Sequence, residues 1–136
     1  MANLVLDADT AADLMSPNPT SLHKDALLSD AVTLMATKGF NAAPVIDETG
    51  RPVGVLSSAD VLIHQGESTT PGADRPPPKV GDLMTPAVFS ATADTPAHKV
   101  VEEMVALNVH QIYIVDADHT LVGVVTSHDV LRRLRA

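Results

Sequence analysis

The feature that most constrains the fold is an internal repeat. A shift of 69 residues aligns the two halves of the chain without a gap. DLMSP at 13–17 then falls on DLMTP at 82–86, and VGVLSSADVL at 53–62 falls on VGVVTSHDVL at 122–131. Between positions 13 and 62, sixteen of fifty residues are identical to their partners. Matches that cluster into phrases in one register indicate a single structural unit used twice.

Each copy predicts a short strand followed by an amphipathic helix. The strand is expected near Thr20 and Ser21 or near Val88 and Phe89. We expect the helix to begin at Asp25 in the first copy, and at the N-cap Thr95 with Pro96 as its first residue in the second. Apolar residues recur at helical spacing at Leu28, Val32, Met35 and Ala36, and at Ala97, Val101, Met104 and Val105. The helix should end at the aligned Gly39 and Asn108, because both residues tolerate the left-handed conformation of a C-cap.

Two apolar runs around a tight turn follow the helix, and they predict a β-hairpin. The strands are expected at 43–46 and 53–56 around DETG, and at 112–115 and 121–125 around DADH. A final helix starts at Ser57 or Thr126. The helix between the first two strands makes a parallel crossover, which is almost always right-handed. The predicted fold class is therefore α/β (α+β), with two β-α-β-β-α repeats packed sheet to sheet with pseudo-two-fold symmetry.

The segment between the copies is rich in Gly, Pro, Ser and Thr and has no apolar period, which is typical of an extended linker. It reads GESTTPGADRPPPK. We place the first repeat at 11–65, the linker at 66–79 and the second repeat at 80–136.

Composition excludes several classes of function. The chain has no cysteine, so disulfides, zinc–thiolate sites and thiol nucleophiles are excluded. A net charge of −8 argues against a nucleic-acid surface, and two Phe and one Tyr are too few for a base-stacking platform. The one basic cluster, Arg132, Arg133 and Arg135, ends the last helix, where cations are favourable.

Sequence motifs of catalysis, metal binding and membrane insertion are also missing. There is no Walker loop, no G-x-S-x-G and no helix-spaced histidine pair with a carboxylate. The first twenty residues lack a basic start and a long apolar stretch, and no apolar run approaches the ~20 residues that span a bilayer. We expect a soluble cytoplasmic protein that is not an enzyme and has no metal site and no membrane partner.

The repeated phrases resemble the signature of the cystathionine-β-synthase-type (CBS) domain, and the tandem pair resembles a Bateman module. The phrases are DLMSP/DLMTP, the hydrophobic strand ending in Asp47 or Asp116, and the G-h-h-[S/T]-x-x-D segments GVLSSAD and GVVTSHD. The resemblance extends from about Ala11 to Leu134. It implies two clefts between the repeats that often bind adenine nucleotides. The aspartate would hold the ribose hydroxyls, and the hydroxyl residue before it would lie near phosphate, where a helix N-terminus favours an anion.

Carried over residue by residue, the resemblance implies two candidate sites. The first site uses Thr126, His128 and Asp129, with adenine near Thr20, Phe40 and Asn41 of the other repeat. The second site uses Ser57 and Asp60, with adenine near Phe89, Val109 and His110.

Two positions depart from the family pattern, in which arginines often contact the phosphate. Before the hairpin the chain has Asn41–Ala42 or His110–Gln111, and before the aspartate it has Ala59 or His128. Because only the second copy keeps potential cations, we expect the Asp129 site to be the better nucleotide site. Histidine is only partly charged near neutral pH, so phosphate binding there should weaken as the pH rises.

The same phrase also describes a helix cap. Ser-x-x-Asp or Thr-x-x-Asp at a strand-to-helix junction is a capping box, with the hydroxyl and the carboxylate each binding a free backbone amide. Ser57 with Asp60, and Thr126 with Asp129, therefore fit both a cap and a ligand site.

The resemblance implies a regulatory module that binds an adenine nucleotide such as AMP, ADP or ATP and transmits metabolic status to a protein partner. It implies a homodimer and no required cofactor. Two alternatives remain open at this point: a ligand-free scaffold for dimerisation or protein interaction, and a sensor of S-adenosylmethionine, because a site with few arginines suits a ligand without phosphates.

Overall fold

The computed structural model describes residues 3–67 and 76–136 and divides the chain into two compact units. Unit 1 contains Met1–Pro19 and Phe89–Ala136, and unit 2 contains Thr20–Val88. The DLM segment of each copy thus belongs to the unit that contains the other copy's hairpin. Most of the predicted linker, residues 68–75, lies outside the described residues.

The elements of unit 1 are β1 (Val5–Leu6), α1 (Ala11–Leu14), β2 (Ser16–Pro17), β6 (Ser90–Thr92), α5 (Ala97–Leu107), β7 (Gln111–Val115), β8 (Leu121–Thr126), α6 (Ser127–Leu131) and β9 (Leu134–Arg135). They include a four-stranded sheet with the strand order β2-β8-β7-β6 and a separate two-stranded ribbon of β1 with β9. Strands β6 and β7 are parallel, β7 and β8 form an antiparallel hairpin, and β2 pairs antiparallel with β8.

The elements of unit 2 are β3 (Leu22–His23), α2 (Leu28–Lys38), β4 (Ala42–Ile46), β5 (Pro52–Ser57), α3 (Ser58–Glu67) and α4 (Val80–Leu83). The strands form a three-stranded sheet with the order β3-β4-β5, in which β3 and β4 are parallel and β4 and β5 form the hairpin. A bridge between Val55 and Thr85 takes the place of the β2–β8 pairing. The predicted β-α-β-β-α order is confirmed in both copies.

The two hydrophobic cores use aligned positions with exchanged side-chain sizes. Unit 1 has Ala97 and Ile112 where unit 2 has Leu28 and Ala43, and all four side chains are buried. A small residue on the helix thus accompanies a large residue on the strand in one core, and the reverse holds in the other. Cores tolerate such exchanges when the total volume is kept. Among the residues that the structure describes, no helix is long and apolar enough to cross a membrane.

The predicted starts of α2 and α5, and of the strands before them, were wrong by one to three residues. The helices begin at Leu28 and Ala97 with Leu27 and Pro96 as N-caps, not at Asp25 and Thr95. The Thr95 backbone amide donates to the Thr92 carbonyl at 3.1 Å, and its Oγ1 lies 3.3 Å from the Thr92 amide. Its capping groups therefore close the turn before the helix. The strands lie at 22–23 and 90–92, slightly after the predicted positions.

The predicted C-caps are confirmed at both aligned positions. Gly39 has φ 73° and ψ 30°, and Asn108 has φ 54° and ψ 47°, so both are left-handed. Their backbone amides donate to the carbonyls of Met35 and Met104 respectively.

We expect Gly39→Ala to lower the free energy of unfolding by about 1 kcal/mol, because a Cβ disfavours a left-handed backbone. A Cβ at this position meets no atom within 4 Å, so strain rather than a clash is the cause. Gly39→Asn should cost less, since asparagine occupies the aligned position. Urea denaturation followed by circular dichroism measures both, and equal costs for alanine and asparagine would contradict this explanation.

Candidate functional site

Asp129 lies at the N-terminus of α6 and closes a capping box with Thr126. The Thr126 backbone amide and hydroxyl donate to Asp129 Oδ2 at 2.8 and 3.0 Å, and the Asp129 amide donates to Thr126 Oγ1 at 3.2 Å. The carboxylate is buried, with 3% of the residue exposed. The capping interpretation is therefore confirmed here, and one carboxylate oxygen is fully used by the cap.

The other oxygen of Asp129 binds two side chains. Ser16, in the DLMSP segment, donates its hydroxyl to Oδ1 at 3.1 Å, and Arg132, one turn along, donates from Nη2. Burial alone would raise the pKa of Asp129, but the hydrogen bonds from Thr126, Ser16 and Arg132 outweigh it. The pKa of this carboxyl therefore lies below its ordinary value of 3.8.

Asp60 has the same position in unit 2 but fewer contacts. Ser57 donates its backbone amide and hydroxyl to Asp60 Oδ2, both at 2.9 Å, and the Asp60 amide returns a bond to Ser57 Oγ at 3.2 Å. Oδ1 accepts a longer bond from Thr85 Oγ1, at 3.3 Å. The residue aligned with Arg132 is Ile63, which cannot bind a carboxylate. Asp60 Oδ1 is consequently the more available acceptor.

The two repeated phrases are brought together inside each unit. The hydroxyl residue of DLMSP or DLMTP hydrogen-bonds the aspartate of the other copy's G-h-h-[S/T]-x-x-D phrase, as Ser16 does with Asp129 and Thr85 with Asp60. Sequence reasoning missed Ser16, Thr85 and Arg132 as neighbours of the aspartates. A signal was present for the first two, since a hydroxyl residue recurs at that position in both copies.

Each aspartate lines a cavity of about 340 Å³. Five lining residues of each cavity are related by the same 69-residue shift, but the charges of the two linings differ. The unit 1 cavity is lined by Asp13, Leu14, Met15, Asp129, Arg132, Arg133 and Arg135, and the unit 2 cavity by Asp60, Ile63, His64, Pro78, Asp82 and Leu83. Three arginines face two aspartates in the first cavity, whereas the described lining of the second carries two aspartates and one histidine.

The other predicted residues of unit 1 lie around the start of α6 and β7. His110 is exposed; its carbonyl accepts from the Ser127 amide at 3.0 Å, and its Nδ1 lies 3.4 Å from Ser127 Oγ. His128 is exposed on α6, and Val109 packs against the core. Phe89 is exposed, and its carbonyl accepts from the Tyr113 amide.

The predicted residues of unit 2 show a matching arrangement. The Asn41 carbonyl accepts from the Ser58 amide at 2.8 Å, which repeats the His110–Ser127 contact. Asn41 and Phe40 are exposed, and Thr20 is half-buried. Exposed side chains at these positions are free to meet a ligand. Within residues 3–67 and 76–136, no group of three or more His, Asp or Glu residues that could hold a metal ion is found.

Each unit also carries an apolar groove, which lies between α5 and α6 in unit 1 and between α2 and α3 in unit 2. Val32 and Val105, which the helical spacing placed on a core-facing stripe, are exposed, Val105 by 77%. The grooves have volumes of about 410 and 240 Å³ and occupy aligned positions. Their lining residues include Val101, Val105, Val130 and Leu131 in unit 1, and Val32, Ala36, Val61 and Leu62 in unit 2. Helix faces of this composition are typical of surfaces that another protein covers.

The chain is similar in sequence and fold to known proteins. The family model of the CBS domain matches residues 11–67 and 80–136. The chain is similar to the crystal structure of CBSX2 in complex with AMP, at 28% identity and TM-score 0.79, covering 92% of this chain and 95% of that one. It is also similar to the CBS domain pair of MJ0100 in complex with 5′-methylthioadenosine and S-adenosyl-L-methionine, at 26% identity and TM-score 0.73, covering 90% and 97%.

Curated relatives are longer than this chain. L-aspartate semialdehyde sulfurtransferase of Methanocaldococcus jannaschii is 28% identical over 122 residues, which is 88% of this chain and 22% of the relative. The chain spans less than a third of the length of this relative and of two other curated relatives that it matches.

Proposed function

Because the chain belongs to the CBS domain family, with both copies matched by the family model, we propose that it is a regulatory module for an adenosine-containing ligand. The ligand is AMP, ADP, ATP or a related adenosyl compound. Its ribose hydroxyls bind Asp60 or Asp129, and the helix N-terminus beside each carboxylate faces its anionic part. The candidates for contact with adenine are Thr20, Phe40 and Asn41 of unit 2 and Phe89, Val109 and His110 of unit 1.

The proposal rests on the hydrogen bonds of the Asp60 and Asp129 carboxylates and on the cavities that these residues line. Each carboxylate closes a capping box through Oδ2, and each aspartate also lines a cavity. A cap needs only one oxygen. The second oxygen of Asp60 accepts a 3.3 Å bond that a ligand can replace, and the second oxygen of Asp129 accepts from Ser16 and Arg132, one of which a ligand would displace. Capping and ligand binding are therefore compatible roles. That CBSX2 binds AMP and MJ0100 binds two adenosyl compounds supports the ligand class.

The module transmits ligand binding to a protein partner and does not itself catalyse a reaction. A ligand can shift the equilibrium between two conformations of the module only by its difference in affinity for them. The two apolar grooves support assembly, and we place the homodimer interface there, since exposed residues such as Val105 and Leu62 would be buried by a second copy. The intracellular setting of adenine nucleotides agrees with a cytoplasmic location.

Calorimetric titration with AMP, ADP, ATP, adenosine and S-adenosylmethionine tests the proposal. We expect binding in the micromolar range, and a loss of about tenfold or more at one site in each of Asp60→Asn and Asp129→Asn, because a ribose hydroxyl pair loses a charged acceptor. Asp30→Asn is the matched control, since Asp30 is also acidic in the first turn of a helix but is exposed and outside both cavities.

Two results would contradict the proposal. If no ligand of the panel binds the folded protein, the capping boxes serve stability alone and the scaffold alternative gains support. If the number of sites and their affinities are unchanged in both aspartate variants, the ligand occupies another site. Light scattering on the same samples measures whether the protein is a dimer, with and without ligand.

A further inference from the structure

We propose that Arg132 makes the Asp129 site selective for adenosine ligands that carry a phosphate, whereas the Asp60 site, with Ile63 at the aligned position, takes adenosine ligands without one. This inference rests on the proposed function and assigns a different ligand chemistry to each copy of the repeat.

Asp129 Oδ1 is already occupied by hydrogen-bond donors of the protein. Arg132 and Ser16 both donate to this oxygen, so a ribose hydroxyl must displace at least one of them. Arg132 is the partner that can leave, because 59% of its side chain is exposed and its stem is flexible. Ser16 is held in the short strand β2 beside β8. Ligand entry at Asp129 therefore breaks an ion pair first.

Once it is displaced from Asp129, Arg132 needs a new anionic partner. A ligand without charge takes the carboxylate and leaves the guanidinium without its anionic partner. A ligand with a phosphate offers a new anion one ribose ring away, and arginine binds phosphate oxygens in a bidentate manner. The cost of breaking the pair is thus offset only for the phosphorylated ligand. Selectivity arises from this exchange without any contact to adenine.

The two cavities differ in the charge of the residues that line them. In unit 1, Arg133 and Arg135 line the same cavity as Arg132, so its lining has one more arginine than aspartate, and Arg135 is also 3.8 Å from Asp7 outside the lining. Asp60 and Asp82 make the described lining of the unit 2 cavity net negative by two when His64 is neutral, with Ile63, Pro78 and Leu83 as apolar neighbours. Such a cavity disfavours a phosphate and accepts a neutral or cationic adenosyl compound. The two sites therefore differ in charge although their backbones match.

The test compares AMP with 5′-methylthioadenosine, which share the adenosine part and differ in the phosphate. Asp60→Asn removes the second carboxylate, so that titration of this background reports the Asp129 site. There we expect AMP to bind at least tenfold more tightly than methylthioadenosine. Adding Arg132→Ala should lower this ratio about tenfold, with weaker AMP binding and stronger methylthioadenosine binding. Lys99→Ala, which removes one positive charge from the exposed face of α5, is the matched control and should leave the ratio unchanged.

Two further variants complete the test. Arg132→Lys keeps the charge but loses the bidentate geometry, so the ratio should fall between those of the arginine and alanine proteins. Ile63→Arg, in an Asp129→Asn background, should raise the preference of the Asp60 site for AMP and lower its affinity for methylthioadenosine. Melting curves establish that each variant is folded at the temperature of the titration.

The outcomes separate this inference from the proposed function. If both ligands bind but their ratio is the same with Arg132 or with alanine, the inference is wrong while the nucleotide-binding module stands. If Arg132→Ala weakens both ligands equally, the arginine supports the fold of the site and not its selectivity. If neither ligand binds the wild-type protein, the proposed function and the inference fail together.

Discussion

Gly54→Ala is expected to lower the free energy of unfolding by about 3 kcal/mol, the upper range for overpacking a tight contact. A Cβ on Gly54 would lie 2.6 Å from Met84 Sδ and 2.7 Å from the Thr85 carbonyl oxygen. The methionine side chain can move away, but the carbonyl belongs to backbone that is hydrogen-bonded to Val55 in both directions at 2.9 Å. The strand must therefore separate from the DLMTP segment to accept a methyl group.

Gly123 and Gly66 are the matched controls for Gly54. A Cβ on the aligned Gly123 would lie 2.6 Å from Met15 Sδ but 3.2 Å from the nearest backbone oxygen, so Gly123→Ala should cost about 1–2 kcal/mol. Gly66, in helix α3, has nothing within 4 Å of an added Cβ, and Gly66→Ala should be neutral or stabilise by up to ~1 kcal/mol. Chemical denaturation of the three variants measures this order. Equal costs at positions 54 and 66 would show that the close approach is not needed for stability.

The glycines also explain why the two phrases recur together. The DLMSP or DLMTP segment crosses the strand that begins the G-h-h-[S/T]-x-x-D phrase, and only a residue without a Cβ permits that crossing. The hydroxyl residue of the segment then reaches the aspartate at the end of the same phrase. Glycine, hydroxyl and carboxylate thus form one local packing arrangement, used once in each unit.

The regular parts of the fold could be predicted from the sequence because their signals are local. The hairpin strands and the C-caps at Gly39 and Asn108 depend on apolar runs, turn residues and residues that tolerate positive φ. The helix starts could not be predicted, because the Thr95 hydroxyl accepts from the Thr92 amide before the helix and the Asp25 carboxylate lies 3.9 Å from His23. The exchange of the DLM segments between units is a long-range pairing, and nothing in the periodicity of either segment indicates its partner.

The candidate site was predicted only in part for the same reason. Asp60 and Asp129 follow from the repeated phrase, and their capping geometry follows from the spacing of three residues. The sequence explains Arg132 only as a favourable cation at the end of a helix. Its contact with Asp129 was missed because that contact depends on how the last turn of α6 is placed. Whether the predicted adenine-facing residues meet a ligand remains a proposal.

Asp129→Ala is expected to lower the free energy of unfolding by about 2–3 kcal/mol at neutral pH. The variant loses the capping box, worth about 1 kcal/mol, and the hydrogen bonds from Ser16 and Arg132 to a charged oxygen. Asp60→Ala is the matched variant and should cost about 1 kcal/mol, because Oδ1 of Asp60 accepts one longer bond and lacks an arginine partner at the aligned position. Urea denaturation of the three proteins at pH 7 measures the difference.

The cost of Asp129→Ala should also depend on pH in a defined direction. The pKa of Asp129 in the folded protein lies below the ordinary 3.8, so folding favours the ionised form. Its contribution is fully present above about pH 5, where the unfolded carboxyl is ionised, and is lost as the pH falls through the folded pKa. The gap in stability between wild type and Asp129→Ala should therefore narrow when denaturation is repeated at about pH 3. A gap that stays constant from pH 7 to pH 3 would mean that the lost contacts do not depend on the charge of Asp129. In that case Arg132 would have no ion pair to exchange for a phosphate, and the selectivity inferred for this site would lose its physical basis.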